Sequence, residues 1–282
     1  MGGGGVSKEL IISNVLVLVF LIVVIVFFGM PLTWLVISAV NPGLMSPEFV
    51  IPSKPSFENF LKLVEPVGVV PPYQWIINSL IISTASATLT SLVSLLAVFV
   101  LTRYSFRGQQ AMLTSFVIFR LIPPLLIALP LMTLFKMWGL MNSMVALVIV
   151  LSALVMPFTL LMMESYFRAI PITYEEAAMI DGCTKIGAFM RVTLPLATPG
   201  LISVWLLAFV YSWSEFIIPL VIIKSVELMP ASVGLYFFFG QYGRIEYGKI
   251  SAFSIVYALP IVIVFFITQK YLKRGVAGLV AR

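Results

Sequence analysis

The sequence has no histidine, one cysteine (Cys183) and only 10% charged residues among 282. Each shortage removes a class of function. Without histidine there is no imidazole general base, no His-ligated zinc and no Cys–His dyad. One cysteine cannot build a disulfide framework. A soluble domain carries about a quarter charged residues, and the polar surface they would supply is missing here. What the chain has instead is apolar: 61% of it. It reads as an integral membrane protein. The net charge of +6 does not argue for nucleic acid, because the cations flank apolar runs rather than gather on one face of a soluble fold.

A helix that crosses hydrocarbon needs about 20 apolar residues. Six runs qualify: 10–38, 75–101, 111–135, 141–163, 201–223 and 251–272. They are continuously apolar, whereas barrel strands alternate, so the expected fold class is all-α with six transmembrane helices. The first run is too long for a cleaved signal peptide, and no small-x-small site follows Phe28-Gly29-Met30-Pro31. Gly2 to Gly5 read as a flexible tail. With the N-terminus inside, ten Lys and Arg fall on inner segments (Lys8, Arg103, Arg107, Arg168, Lys185, Arg191, Lys270, Lys273, Arg274, Arg282). Six fall outside (Lys54, Lys62, Lys136, Lys224, Arg244, Lys249), and Arg120 lies within a span. This bias places both termini in the cytoplasm of a cell-membrane protein.

The loops differ in kind. Outer segment 39–74 carries seven prolines, so 1–74 reads as a first helix with a stiff extracytoplasmic loop, and 75–282 as a five-helix core. Outer segment 224–250 carries the apolar patch Phe237-Phe238-Phe239. Inner segment 165–196 is long and has helical character. Thr173-Tyr174-Glu175-Glu176 fits a capping box, a short helix follows to Asp181, and Gly182 closes it as a C′ residue. A second helix from about Lys185 puts Ile186, Phe189, Met190 and Leu194 on one face, and Pro195 is expected to stop it. Helices this short need a surface to lie on. That surface is either the ends of their own bundle or a separate cytoplasmic protein.

The residues of this loop carry a resemblance. Glu176-Ala177-Ala178, three residues, Gly182, nine residues, Val192, one residue, Leu194-Pro195 resembles the EAA loop of ATP-binding-cassette importer permeases, EAA-x3-G-x9-I-x-LP, with Val192 for Ile as the departure. Asn78-Ser79-Leu80, Arg103-Tyr104, Phe106-Arg107-Gly108, Pro123, Pro130-Leu131, Gly139-Leu140, Asn142, Ile170-Pro171 and Trp213-Ser214-Glu215-Phe216 follow in the order of the maltose-type carbohydrate permeases. The resemblance runs from about Phe57 to Lys270. It implies the type I importer transmembrane fold and a non-catalytic subunit. It also implies partners: a second permease subunit in a heterodimer, two ATPase subunits that bind ATP and Mg, and an extracytoplasmic solute-binding protein delivering a sugar. On this likeness the coupling residues are Glu175, Glu176, Ala177, Ala178, Met179, Asp181, Gly182, Phe189, Leu194 and Pro195. Glu176 would anchor the loop to the ATPase, Ala177 and Ala178 allow close approach, and Gly182 makes the turn. The tail Arg274-Gly275-Val276-Ala277-Gly278 departs from the family's G-A-V-K-G-like ending, and Cys183 stands where Ala is usual.

No cofactor or metal is expected on this chain. Gly243 to Lys249 fits the G-x4-G-K part of a phosphate-binding loop, but Ile250 stands where Ser or Thr must hold Mg²⁺, and no buried strand precedes it. Arg120 and Glu215 are charges at membrane depth, costly unless they face the bundle or a cavity. With Trp213 and Asn78 they are the candidates for a solute pathway, against the simpler reading as interhelical hydrogen bonds and caps. Trp34, Tyr73, Trp75 and Trp138 fit an aromatic belt. Fourteen methionines read as gap-fillers in a bundle that repacks. The alternative is a secondary transporter or channel working without nucleotide. No internal repeat, carboxylate relay or charge ring supports it, and it leaves 173–195 unexplained.

Overall fold

The computed structural model describes residues 4–66, 68–238 and 245–280, with side chains described for 13–66, 68–236, 238 and 245–269. These residues form helices α1 (Gly4–Ala39), α2 (Glu58–Leu61), α3 (Pro72–Arg103), α4 (Gln109–Arg120), α5 (Pro124–Met137), α6 (Met144–Arg168), α7 (Thr173–Ile180) and α8 (Lys185–Ala188). A π-helical turn, Phe189–Thr193, leads into α9 (Leu194–Ser214). Then come α10 (Ile217–Ile222), a 3-10 turn (Val226–Leu228), α11 (Ala231–Phe237) and α12 (Tyr247–Val280). No strand occurs among the described residues.

Among the described residues five helices are long and apolar enough to cross a membrane: Ser13–Ala39, Pro72–Arg103, Met144–Arg168, Lys185–Ser214 and Tyr247–Gln269. The expected third span, 111–135, is not a single helix. It breaks between α4 and α5, which meet at 97°, and the count of spans is six only if this bent pair is taken as one. Pro123 and Pro124 cause the break. Pro124 supplies no amide hydrogen and forces Pro123 out of the helical region, to φ −62°, ψ 138°. The fifth span is also displaced. It starts at Lys185 and ends at Ser214, so the expected stop at Pro195 does not occur. Pro195 lies in the first turn of α9, where the π turn before it has already shifted the hydrogen-bond ladder.

The chain divides into two compact units, Met1–Glu65 with Phe238–Val256, and Pro66–Phe237 with Tyr257–Arg282. In the first, the proline-rich stretch is folded rather than merely stiff. Asn59 Nδ2 donates to the carbonyls of Ala39 (2.9 Å) and Asn41 (3.0 Å), and Tyr247 N donates to Leu44 O at 2.9 Å. Gly248 sits against this knot, where a Cβ would lie 2.5 Å from Asn59 Nδ2. That packing accounts for the second glycine of the phosphate-loop look-alike; Gly243 and Arg244 lie outside the described residues. Phe238 packs on Phe253 with centroids 5.2 Å apart, while the side chains of Phe237 and Phe239 lie outside the described residues. So do those of 270–282, including the tail weighed above, and Gly2 and Gly3; the helix has already begun at Gly4.

In the second unit α3, α6 and α9 pack around Leu95, Val98, Leu101, Leu160, Met163, Phe167, Phe189 and Val204. A seam of small hydroxyls lets α3 and α6 approach closely. Ser94 and Thr159 hydroxyls meet at 2.9 Å, Ser152 donates to Ser86 O at 3.2 Å, and Thr90 to Ser152 O at 3.2 Å. Trp75 does not belong to an aromatic belt: it is fully buried, and its Nε1 donates to Val226 O at 2.9 Å. Ser143 caps α6 through the Ala146 amide at 3.3 Å. Asn142 is left-handed (φ 59°), and its Oδ1 accepts from the amides of Lys224 (3.0 Å) and Ser225 (2.9 Å).

Candidate functional site

The helix at 173–180 is not opened by a capping box. Thr173 is its first helical residue, Ile172 is the N-cap, and no side chain caps it. A hydroxyl can take the free amides only from outside the helix. Here Ile172 O already accepts from the amides of Glu175 (2.9 Å) and Glu176 (3.1 Å). The other end is a Schellman closure: Gly182 N donates to Met179 O at 3.1 Å and Cys183 N to Ala178 O at 3.0 Å, with Gly182 at φ +92°. A side chain there would be strained, which is why glycine occupies the position. Thr184 then caps α8 through the Gly187 amide at 3.1 Å.

The two glutamates of α7 point opposite ways. Glu175 is 1% exposed and Glu176 is exposed. Glu175 Oε1 accepts from Arg103 Nε at 2.7 Å and from the Thr193 hydroxyl. Lys185 Nζ lies 3.0 Å from Arg103 O and 3.8 Å from the centroid of the Tyr104 ring. These bonds put segments 103–110 and 165–196 at the same end of the helices. Phe189 stacks on Phe167 (5.6 Å) and tilts against Phe99 (4.3 Å), so it holds the loop to the bundle. Ala178 and Leu194 are half-buried, whereas Glu176, Ala177, Met179, Asp181, Gly182 and Pro195 are exposed. Ile180, beside them, is 87% exposed. The result is a short helix bolted down on one side and presenting acids and an uncovered isoleucine on the other.

Among the described residues no hydrogen bond or ring contact joins one pathway candidate to another, although Asn78 and Glu215 are both tied to segment 229–232, through Met229 O and the Ser232 hydroxyl. Asn78 is buried and donates to Glu227 O (2.8 Å) and Met229 O (2.9 Å). Trp213 is 1% exposed, stacked between Phe209 (5.6 Å) and Tyr257 (5.3 Å). Glu215 is half-buried, and its Oε1 accepts from the amides of Ile217 (3.0 Å) and Ile218 (3.2 Å), capping α10. Arg120 is exposed at the α4–α5 break, with its guanidinium 4.3 Å from the Phe158 ring centroid. Sequence reasoning did not assign roles to Arg103, Thr193 or Lys185. Arg103 entered it as a basic residue at a span end and, with Tyr104, as one of the motifs of the resemblance. Among the described residues, no cluster of carboxylate and thiol side chains could hold a metal ion.

The family described as "Binding-protein-dependent transport system inner membrane component" matches residues 90–278. The chain belongs to this family. A probable ABC transporter permease protein of Bacillus subtilis, YurM, is 30% identical over 95% of this chain and 88% of its own length. The diacetylchitobiose uptake system permease DasC of Streptomyces coelicolor is 30% identical over 92% and 93%. The arabinooligosaccharides transport system permease AraQ of Halalkalibacterium halodurans is 31% identical over 79% and 78%. In fold the chain matches a bacterial ABC transporter involved in import of the polysaccharide alginate, with a TM-score of 0.76 at 18% identity, covering 95% of this chain and 98% of that one. As an ABC permease this is a non-catalytic, multi-pass membrane subunit. Membership removes the nucleotide-independent transporter or channel as a reading.

Proposed function

We propose that this chain is one half of the translocation pathway of an ATP-driven saccharide importer. It pairs with a second, unlike permease subunit, receives its solute from an extracytoplasmic binding protein, and couples through α7 to two ATPase subunits that carry the ATP and Mg. Both termini and the 165–196 segment lie on the cytoplasmic side in this reading. The observation that carries it is the two-sidedness of α7, with Glu175 locked inward while Glu176, Ala177, Met179, Asp181 and Gly182 stand free. An exposed face that carries two acids beside Ile180 suits a helix that docks on a partner. A saccharide is favoured because DasC and AraQ, named for diacetylchitobiose and arabinooligosaccharides, cover most of this chain. Of the pathway candidates Arg120 suits a solute best, as an exposed donor at a break between two half-spans. Asn78, Trp213 and Glu215 would then shape the path from behind.

The test is gentle purification of the tagged chain from its own membrane, with mass spectrometry of what accompanies it. An ATPase and a second multi-span subunit are expected. Glu176→Lys should cut ATPase recovery about tenfold by reversing one charge at the rim of the contact, with the subunit still inserted. A chain recovered alone, moving diacetylchitobiose or arabinotriose in liposomes without ATP, would overturn the assignment.

A further inference from the structure

Among the described residues Arg103 and Glu175 form the ion pair in which both side chains are withdrawn from solvent, at 4% and 1% exposure. The pairs Lys62–Glu58 and Arg168–Glu164 each leave one partner at least half exposed. A buried ion pair is a poor source of stability, because desolvating two charges offsets their attraction and apolar residues of similar volume do as well. This one is also incomplete: Arg103 Nη2 is buried without a hydrogen-bond partner. Its location suggests another use. Arg103 is the last residue of α3, Glu175 stands in α7, and Thr193 is the last residue of the π turn that leads into α9. A single oxygen, Glu175 Oε1, is therefore bonded from two membrane-spanning helices at once. π turns are rare and tend to mark functional positions, and this one brings the Thr193 hydroxyl onto that oxygen.

We propose that Glu175 is a positioning residue, the tie that makes α7 one rigid body with α3 and α9, so that a push on the exposed face of α7 moves both spans together. The inference rests on the coupling reading above and assigns the transmission step to a residue next to the one that docks. It differs from a stabilising role in what it controls. Loss of the tie leaves docking and ATP turnover in place but lets α7 move without the spans.

The measurement is the distance between spin labels on Tyr174→Cys in α7 and Leu96→Cys in α3, both exposed (54% and 67%), in a Cys183→Ser background. It is made on the purified complex in lipid nanodiscs, nucleotide-free and trapped with ADP and vanadate. With Glu175 intact a single narrow distance is expected, unchanged by trapping. In Glu175→Ala, which removes the oxygen that accepts from both spans, the distribution should broaden about twofold nucleotide-free and shift further on trapping, while ATP turnover stays within about twofold of normal, as for loss of a coupling rather than of a site. Thr193→Val should act in the same direction more weakly, and Arg103→Glu with Glu175→Arg should restore the narrow distance. A purely structural role would lower the yield and leave the distances alone. A narrow, trapping-independent distance in Glu175→Ala would overturn the proposal. If the chain purifies without an ATPase, the coupling reading fails, and the nucleotide-free comparison still decides whether the tie exists.

Discussion

Adjacent glutamates on a one-turn scale show how position sets chemistry. Glu176 keeps its hydration and can offer its charge to another protein; Glu175 has surrendered its hydration to two donors of its own chain. Gly200 is a second residue whose role is spatial. A Cβ there would lie 2.5 Å from Tyr166 Cγ, so α9 approaches α6 over bare backbone. Gly200→Ala should therefore cost about 1–3 kcal/mol by overpacking, read as a lowered thermal midpoint of the purified complex. The EAA-like pattern made the turn at Gly182 legible, because spacing along one loop is a local signal. The pairing of Glu175 with Arg103 was not, since the partners are 72 residues apart and nothing in either's neighbourhood announces the other. Likewise Trp75 was read by residue type as an interfacial anchor, when its surroundings make it core.

At the scale of elements, hydropathy located the spans but not their continuity. The α4–α5 break was written in Pro123-Pro124 and hidden by the apolar residues on both sides, because a sum over a window weighs proline by its polarity and not by its missing amide. Pro195 misled in the opposite sense. A proline ends a helix only where its amide was needed, and the π turn Phe189–Thr193 removes that need. The same turn supplies a test. Deleting Met190, an exposed residue within it, should let the turn close as ordinary α-helix and rotate Thr193 by about 100° relative to α8. Thr193 then leaves Glu175, and uptake per ATP hydrolysed should fall although α9 itself is intact. Unchanged uptake per ATP in the deletion would show that the turn's phase is irrelevant.

For the molecule as a whole, composition pointed to a membrane protein and the ordered motifs to the family that the match over residues 90–278 shows. The arrangement of partners belongs to the proposal, since one permease sequence does not spell out what it assembles with. The importer reading makes a direct demand on transport. Inverted membrane vesicles cannot present the binding protein on the correct side, so uptake should be seen only in proteoliposomes given ATP on one face and loaded binding protein on the other. Omission of either should abolish it. Transport driven by an ion gradient alone would contradict the assignment.

The unbroken run from Lys185 to Ser214 has mechanical meaning. Thirty residues at 1.5 Å each make a rod of about 45 Å. Rocked by about 5° about its middle, such a rod would move its far tip through about 2 Å. That tip is Ser214, and the next residue clamps the amides of Ile217 and Ile218, so the sweep is delivered round a stiff corner into α10. Pivoted in the core, the helix would act as a lever, returning a displacement at one end as a comparable and opposite one at the other.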